Sequence, residues 1–204
     1  EEIVNANLDF FFFKSYANIV EGNALRMDWE SVVPKEKLDY IMGNPPFVGY
    51  SLQSKEQKAD ILSVCCDEKG KPYKTAGKID YVAGWYFKAA ELISNQKIKC
   101  AFVATNSITQ GEQVAGIWKP LMDRFRIHID FAHRTFRWDS ESTQKAHVHC
   151  VIVSFSVAEN TADKRLYDNG IEKAVKNINA YLVEAPNVFI ESRSKSICDV
   201  PPMI

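Results

Sequence analysis

The stretch Asp39-Tyr40-Ile41-Met42-Gly43-Asn44-Pro45-Pro46-Phe47 restricts the folds open to this chain more than any other segment does. Tyr40, Ile41 and Met42 form a short apolar run opened by Asp39, which reads as a buried strand. Gly43 lets another group approach the backbone closely. The two prolines then fix φ twice and remove two N–H donors, and they push Asn44 away from the α region. The strand must therefore stop in a rigid corner, where the carbonyls of Asn44 and Pro45 have no ladder to join. With the side-chain oxygen of Asn44 they make a cluster of acceptors beside the flat ring of Phe47. Such a cluster suits a planar group that carries an NH2 donor.

The remaining sequence supplies a sheet on which this corner can sit. Ile19 and Val20 favour a strand that ends in the turn signal Gly22-Asn23. Residues 101–106 form a second buried run ending in Thr105-Asn106-Ser107. A helix starts near Gln110 or Gly111 and is ended or interrupted at Trp118-Lys119-Pro120. Between these strands, residues 79–92 read as a helix with Val82, Trp85, Tyr86 and Ala89 on one face and Asp80 as its N-cap. Strands that end in polar residues and feed helices imply βαβ units and a parallel sheet. Ligands of such sheets bind outside the carboxyl ends of the strands, and Asn23, Asn44 and Asn106 all fall at such ends. Residues 48–77 form a long excursion with a helical middle at 55–64 and a Lys/Gly/Pro-rich tip at 67–72; a lid over the corner and a plain surface excursion are both compatible with it.

Residues 126–133 alternate polar with apolar, as a half-buried strand does, and Arg134-Thr135-Phe136-Arg137-Trp138 then leaves the sheet. A polar loop, residues 139–145, leads to a further strand at 147–155. Two strands joined by about a dozen residues without a helix make an antiparallel hairpin. Arg134, Arg137 and Lys145 interleaved with Phe136 and Trp138 provide what phosphate neutralisation and base stacking need. The plainer reading of Trp138 is an anchor that packs the hairpin on the core.

The chain has 204 residues, enough for one good-sized domain. It is 46% hydrophobic and 25% charged, an ordinary globular balance. Its formal net charge of −1 means that nucleic-acid binding must rest on a local basic patch. Its five cysteines follow no metal-ligand or Cys-x-x-Cys spacing, which reads as reduced thiols in the cytoplasm. His147 and His149 alternate on one strand and are read as strand-filling rather than metal-binding. No apolar run is long enough to span a membrane. The chain opens without methionine in a charged phrase, as a segment of a longer protein would. Residues 1–17 show no clean period, and after residue 158 the composition turns polar and proline-containing, as a linker does.

Asn44-Pro45-Pro46-Phe47 after an apolar strand resembles the catalytic motif of amino-methyltransferases that use S-adenosylmethionine, above all those that methylate N6 of adenine in DNA. Residues 79–86, 105–113 and 131–138 look like the methyltransferase region of large single-chain type II restriction–modification enzymes, the MmeI-like group. The likeness covers most of residues 18–158. It implies an α/β, Rossmann-like S-adenosylmethionine-dependent methyltransferase fold, a mostly parallel sheet ending in an antiparallel hairpin, with the N-terminal strands outside this segment. It divides the chain into an N-terminal remainder (1–17), the C-terminal part of the catalytic domain (18–158) and a connection toward a target-recognition domain (159–204). It assigns catalysis to Asn44, Pro45, Pro46 and Phe47. Cofactor contacts fall to Asn23, Ala24, Asn44 and Asp80, with Tyr81 lining the same pocket. The flipped base goes to Phe136, with Trp138 second, and DNA to Arg134, Arg137 and Lys145. The implied partners are double-stranded DNA with a flipped adenine and the nuclease and target-recognition parts of the same polypeptide.

One departure from the family pattern matters. Its Gly-rich turn after the first strand, and the acidic residue ending the second, are not in these residues; Gly-x-Gly occurs nowhere. The resemblance therefore implies a gap in the sheet between the strand ending at Asn23 and the one ending at Asn44. It also implies weak or absent cofactor binding, no activity by the segment alone, and open strand edges that a second copy could cover. Two other readings stay open: methylation of protein glutamine or of an RNA base, and a non-catalytic DNA-binding scaffold of the same fold.

Overall fold

The computed structural model describes residues 17–139, 147–157 and 163–191. Six strands form one sheet: β1 (Tyr40–Gly43), β2 (Lys99–Thr105), β3 (His128–Asp139), β4 (His147–Ser156), β5 (Lys164–Asp168) and β6 (Ile171–Val175), in the order β1-β2-β4-β3-β5-β6. β1 and β2 are parallel, β4 is antiparallel to both β2 and β3, β3 and β5 are parallel, and β6 is antiparallel to β5. Four strands thus run one way, with β4 and β6 against them. A mostly parallel sheet carrying an antiparallel hairpin, expected from strand spacing, is the architecture found.

Among the described residues there are three α-helices: α1 (Lys55–Val64), α2 (Ala83–Leu92) and α3 (Gly111–Phe125). α1 starts where the sequence places it, because Ser54 and Gln57 form a reciprocal capping box. α2 and α3 share one face of the sheet. Alternation along β2 and β4 puts Phe102, Ala104, Val151, Val153 and Phe155 on that face, all buried. Tyr86 of α2 meets Phe102, Phe155 and Trp118 of α3 with ring centroids 5.3, 5.5 and 5.5 Å away. Trp118 is fully enclosed and donates its indole N–H to the Ile108 carbonyl at 2.8 Å. On the opposite face, Val103, Phe131, His133, Phe136 and Ile152 are half-buried.

The structure corrects several local expectations. Ile19 and Val20 form no strand; they are 90% and 54% exposed, since among the described residues no neighbour offers them a ladder. β1 is not a buried strand: among the described residues it pairs only with β2, and Tyr40 and Met42 are 67% and 79% exposed. α2 starts at Ala83, with Val82 rather than Asp80 at its cap position. α3 runs through Pro120 to Phe125. An interior proline costs about 3 kcal/mol. That is outweighed by the buried apolar stripe of Val114, Ile117, Trp118, Leu121, Met122 and Phe125, at roughly 1.5–3 kcal/mol for each large side chain. β3 does not release residues 134–138; it carries them as strand, with bulges between Ile129 and Phe131 and between His133 and Phe136. Past residue 158, where composition reads as a linker, β5 and β6 extend the sheet.

Candidate active site at the strand tips

The corner leaves the sheet at Gly43, where a Cβ would stand 3.4 Å from the Phe102 ring. Asn44 is exposed, Pro45 is buried, Pro46 is exposed, and Phe47 is half-buried against the core. The proline pair is thus anchored on one side and presents Asn44 on the other. The cavity here has a volume of about 340 Å³, and Gly43, Asn44, Pro45, Pro46, Trp29 and Trp85 are among its lining residues.

Asp80 fixes the chain that follows the corner. It is 6% exposed. Its Oδ1 accepts from the Tyr50 backbone N–H at 2.9 Å and its Oδ2 from the Ser107 hydroxyl at 2.5 Å. The Asp80 N–H donates to Gln113 Oε1 at 2.9 Å, and the Tyr81 N–H donates to the Val48 carbonyl at 2.9 Å. One carboxylate therefore ties the segment after the corner to the tip of β2, while its own backbone reaches the first turn of α3. This is why it does not cap α2: both its oxygens are committed elsewhere.

Asn23 opens a turn instead of ending a strand. Its carbonyl accepts from the Arg26 and Met27 N–H groups at 2.9 and 3.0 Å. Its side-chain Oδ1 accepts from the Leu25 N–H at 2.9 Å, and its Nδ2 donates to Asp60 Oδ2 at 2.9 Å. Ala24 is half-buried, and its carbonyl accepts from the Trp29 indole at 2.7 Å. Asp60, on α1, is a residue that sequence reasoning missed; nothing in Lys58-Ala59-Asp60-Ile61 marks it. It is 3% exposed and also accepts from the Tyr81 hydroxyl at 2.8 Å and Arg26 Nε at 2.5 Å. Burial pushes its carboxyl pKa up, but the hydrogen bonds from Arg26, Asn23 and Tyr81 prevail and hold it below the ordinary aspartate range. The Tyr81 phenol, desolvated and bonded to that carboxylate, is pushed up to about 12. The excursion of residues 48–77 is thus anchored at α1, where Ile61 is also enclosed.

The aromatics assigned to the base lie on β3, not in the hairpin loop. Phe136 pairs with Cys150, which also pairs with Thr105 at the carboxyl end of β2; Trp138 pairs with Val148. Each bulge adds one residue to β3 and so resets which side chains face this side. His133, Phe136 and Trp138 follow one another with ring centroids 5.0 and 6.2 Å apart. Trp138 is 46% exposed and packs on Phe136, so it does not anchor the hairpin on the core. Arg134 donates to Asp168 at 2.7 Å, and Arg137 is exposed. Lys145 lies outside the described residues.

Hydrogen bonds therefore join the corner's trailing segment, Asp80, Ser107 and Tyr81 to Asn23 through Asp60, and Phe136 and Trp138 stand at the same end of the sheet. Among the described residues no group of three or more His, Cys, Asp or Glu is placed to hold a metal ion, and no helix is long and apolar enough to cross a membrane.

Residues 1–168 match the family described as MmeI, DNA-methyltransferase domain. DNA methyltransferase A of Bacillus subtilis (strain 168) is 38% identical over 184 residues, covering 89% of this chain and 20% of that protein. A solved structure of the type IIL restriction–modification enzyme MmeI in complex with DNA superposes with a TM-score of 0.84 at 42% identity, covering 93% of this chain and 25% of that one. The chain thus spans between a fifth and a quarter of the length of these relatives.

Proposed function

We propose, from the premise that this chain belongs to the family of MmeI DNA-methyltransferase domains, that it carries the methyl-transfer centre of a site-specific DNA adenine-N6 methyltransferase. The enzyme uses S-adenosylmethionine and works in the cytoplasm as part of a restriction–modification protein. The observation that carries this reading is the corner itself: Asn44 exposed at the open end of the sheet beside a buried, conformationally fixed Pro45. Duplex DNA as the partner is supported by the solved relative, which is described in complex with DNA.

N6 of adenine is inaccessible in the base stack, so the base must be extruded. Phe47 and Phe136 then contact its faces. The Asn44 side-chain oxygen and the Pro45 carbonyl accept the two N6 hydrogens. This draws the nitrogen lone pair out of conjugation with the ring and stabilises the positive charge that develops on N6. Catalysis is positioning and electrostatic preorganisation, with no general base required beforehand. The cavity at the β1 tip, about 340 Å³ with Trp29 and Trp85 in its wall, lies at the small end of ligand-site volumes and fits part of a nucleoside-bearing cofactor. S-adenosylmethionine, when bound, supplies the electrophilic methyl group. In this reading Asn23, Ala24 and Asn44 would hold it, and Asp80 keeps the segment behind the site in register.

The test belongs in the longer enzyme, because the same reading holds that residues 1–204 alone are inactive. Asn44→Ala abolishes methylation of N6 while duplex binding persists, and Asn44→Asp, which keeps an acceptor, retains part of the rate. Retained methylation by Asn44→Ala would falsify the assignment.

A further inference from the structure

We infer that Asp60 is a positioning residue for cofactor recognition: it locks the side-chain amide of Asn23 in one orientation, with its oxygen left able to accept from a ligand. The inference rests on the reading of Asn23 as a cofactor-binding residue and adds to it a side chain on another element, absent from the motif.

The geometry leaves the amide one orientation. A carboxylate can only accept and a backbone N–H can only donate. Asp60 Oδ2 at 2.9 Å from Nδ2, and the Leu25 N–H at 2.9 Å from Oδ1, therefore fix both ends of the Asn23 carboxamide and forbid its flip. The Tyr81 hydroxyl lies beside the same amide and takes up its donor side as well. What the exposed Asn23 still offers is an Oδ1 lone pair, an acceptor for the exocyclic NH2 of an adenine edge. Asp60 is itself immobilised, being 3% exposed and held by Tyr81 and Arg26. The Tyr81 N–H bonds to Val48, just beyond the corner, so the amide is registered to the methyl-transfer site through two hydrogen-bonded residues. The loop has no slack: Leu25 Cδ1 stands 2.8 Å from where a Cβ on Gly84 would be, so the turn lies directly on α2. Without the carboxylate the Asn23 amide would rotate, and binding would have to immobilise it.

Steady-state kinetics of the full-length enzyme test this. Asp60→Asn puts an amide, able to flip and to present donors, opposite Nδ2 and Arg26. It is expected to raise the KM for S-adenosylmethionine about tenfold, leaving kcat at saturating cofactor and the KM for DNA within about twofold. Asn23→Ala should match it, and the double variant should be no worse than the worse single one, as for residues acting through one contact. Tyr81→Phe removes one donor to the carboxylate, keeps the ring and raises the cofactor KM about threefold; it decides the matter if Asp60→Asn does not fold. An unchanged cofactor KM in Asp60→Asn or Tyr81→Phe, a loss in kcat without a change in KM, or multiplying effects in the double variant overturns the inference. A raised cofactor KM in Asn23→Ala alone removes only the role of Asp60. An unchanged one in Asn23→Ala removes the reading on which it stands.

Discussion

Replacing Asp80 by alanine should loosen the corner without touching it. The carboxylate accepts from the Tyr50 N–H at 2.9 Å and the Ser107 hydroxyl at 2.5 Å, and it is almost fully enclosed. Hydrogen bonds to a charged group contribute about 1.5–3 kcal/mol each. Tyr50 is itself 45% exposed, so water can partly replace the lost partner; the low end applies, about 3 kcal/mol for the pair. In a domain of this size that lowers the melting temperature by about 6–12 °C. The rate of methyl transfer by the still-folded enzyme is expected to fall about a hundredfold, because a shift of roughly 1 Å in a positioned group costs about that much. Asp80→Asn should fall in between: its oxygen still accepts from Tyr50, and the Ser107 hydroxyl can turn toward Thr105, 2.8 Å away. Melting of residues 1–204 followed by circular dichroism, and single-turnover methyl transfer by the full-length enzyme, supply the two readings. An Asp80→Ala variant that melts within about 2 °C of the parent, or that keeps its single-turnover rate, would show that the segment after the corner is held by something else.

Other consequences of the geometry can be checked directly. The Asp60 carboxyl titrates below its ordinary 3.8 in the folded protein, so its stabilising contribution is complete above that value and is lost as pH falls through the depressed one; Asp60→Asn should flatten the acid limb of stability below about pH 4, seen in urea titrations at stepped pH. Burial pushes the Cys65 thiol far up and that of Cys100 to about 12, whereas Cys66 is less enclosed and raised less. At pH 8 a thiol reagent should therefore label Cys66 well before Cys65 or Cys100, and peptide mapping that finds equal rates would contradict the packing. Arg134 and Asp168 are each 42% exposed, so Arg134→Ala should change stability by less than about 1 kcal/mol. If Arg134 meets a phosphate, the same variant lowers the salt dependence of DNA binding by about one unit of slope; an unchanged slope removes it from the DNA interface.

What the sequence determined by itself is local chemistry. Two prolines after an apolar run can only make a rigid corner, and the structure has it. Ser54 and Gln57 set the start of α1 through a reciprocal cap. Alternation and a short polar connecting sequence set the antiparallel pairing of β3 with β4. The corner motif carried the likeness to amino-methyltransferases, and residues 79–86, 105–113 and 131–138 carried the likeness to the MmeI-like group, with which the family match agrees. Tertiary structure decided whatever depends on a neighbour distant in the chain. Whether Ile19 and Val20 become a strand, or Tyr40 and Met42 are covered, depends on which strands lie beside them, and hydrogen-bond ladders leave no trace in the residues that lack one. Pro120 stays inside α3 because burial of its apolar stripe exceeds the proline penalty, a balance local propensity does not contain. Asp80 and Asp60 are ordinary polar letters in the sequence. Only folding brings Tyr50 and Ser107 to the one, and Asn23, Arg26 and Tyr81 to the other, because a buried carboxylate is stable only where several donors, here from distant parts of the chain, converge on it.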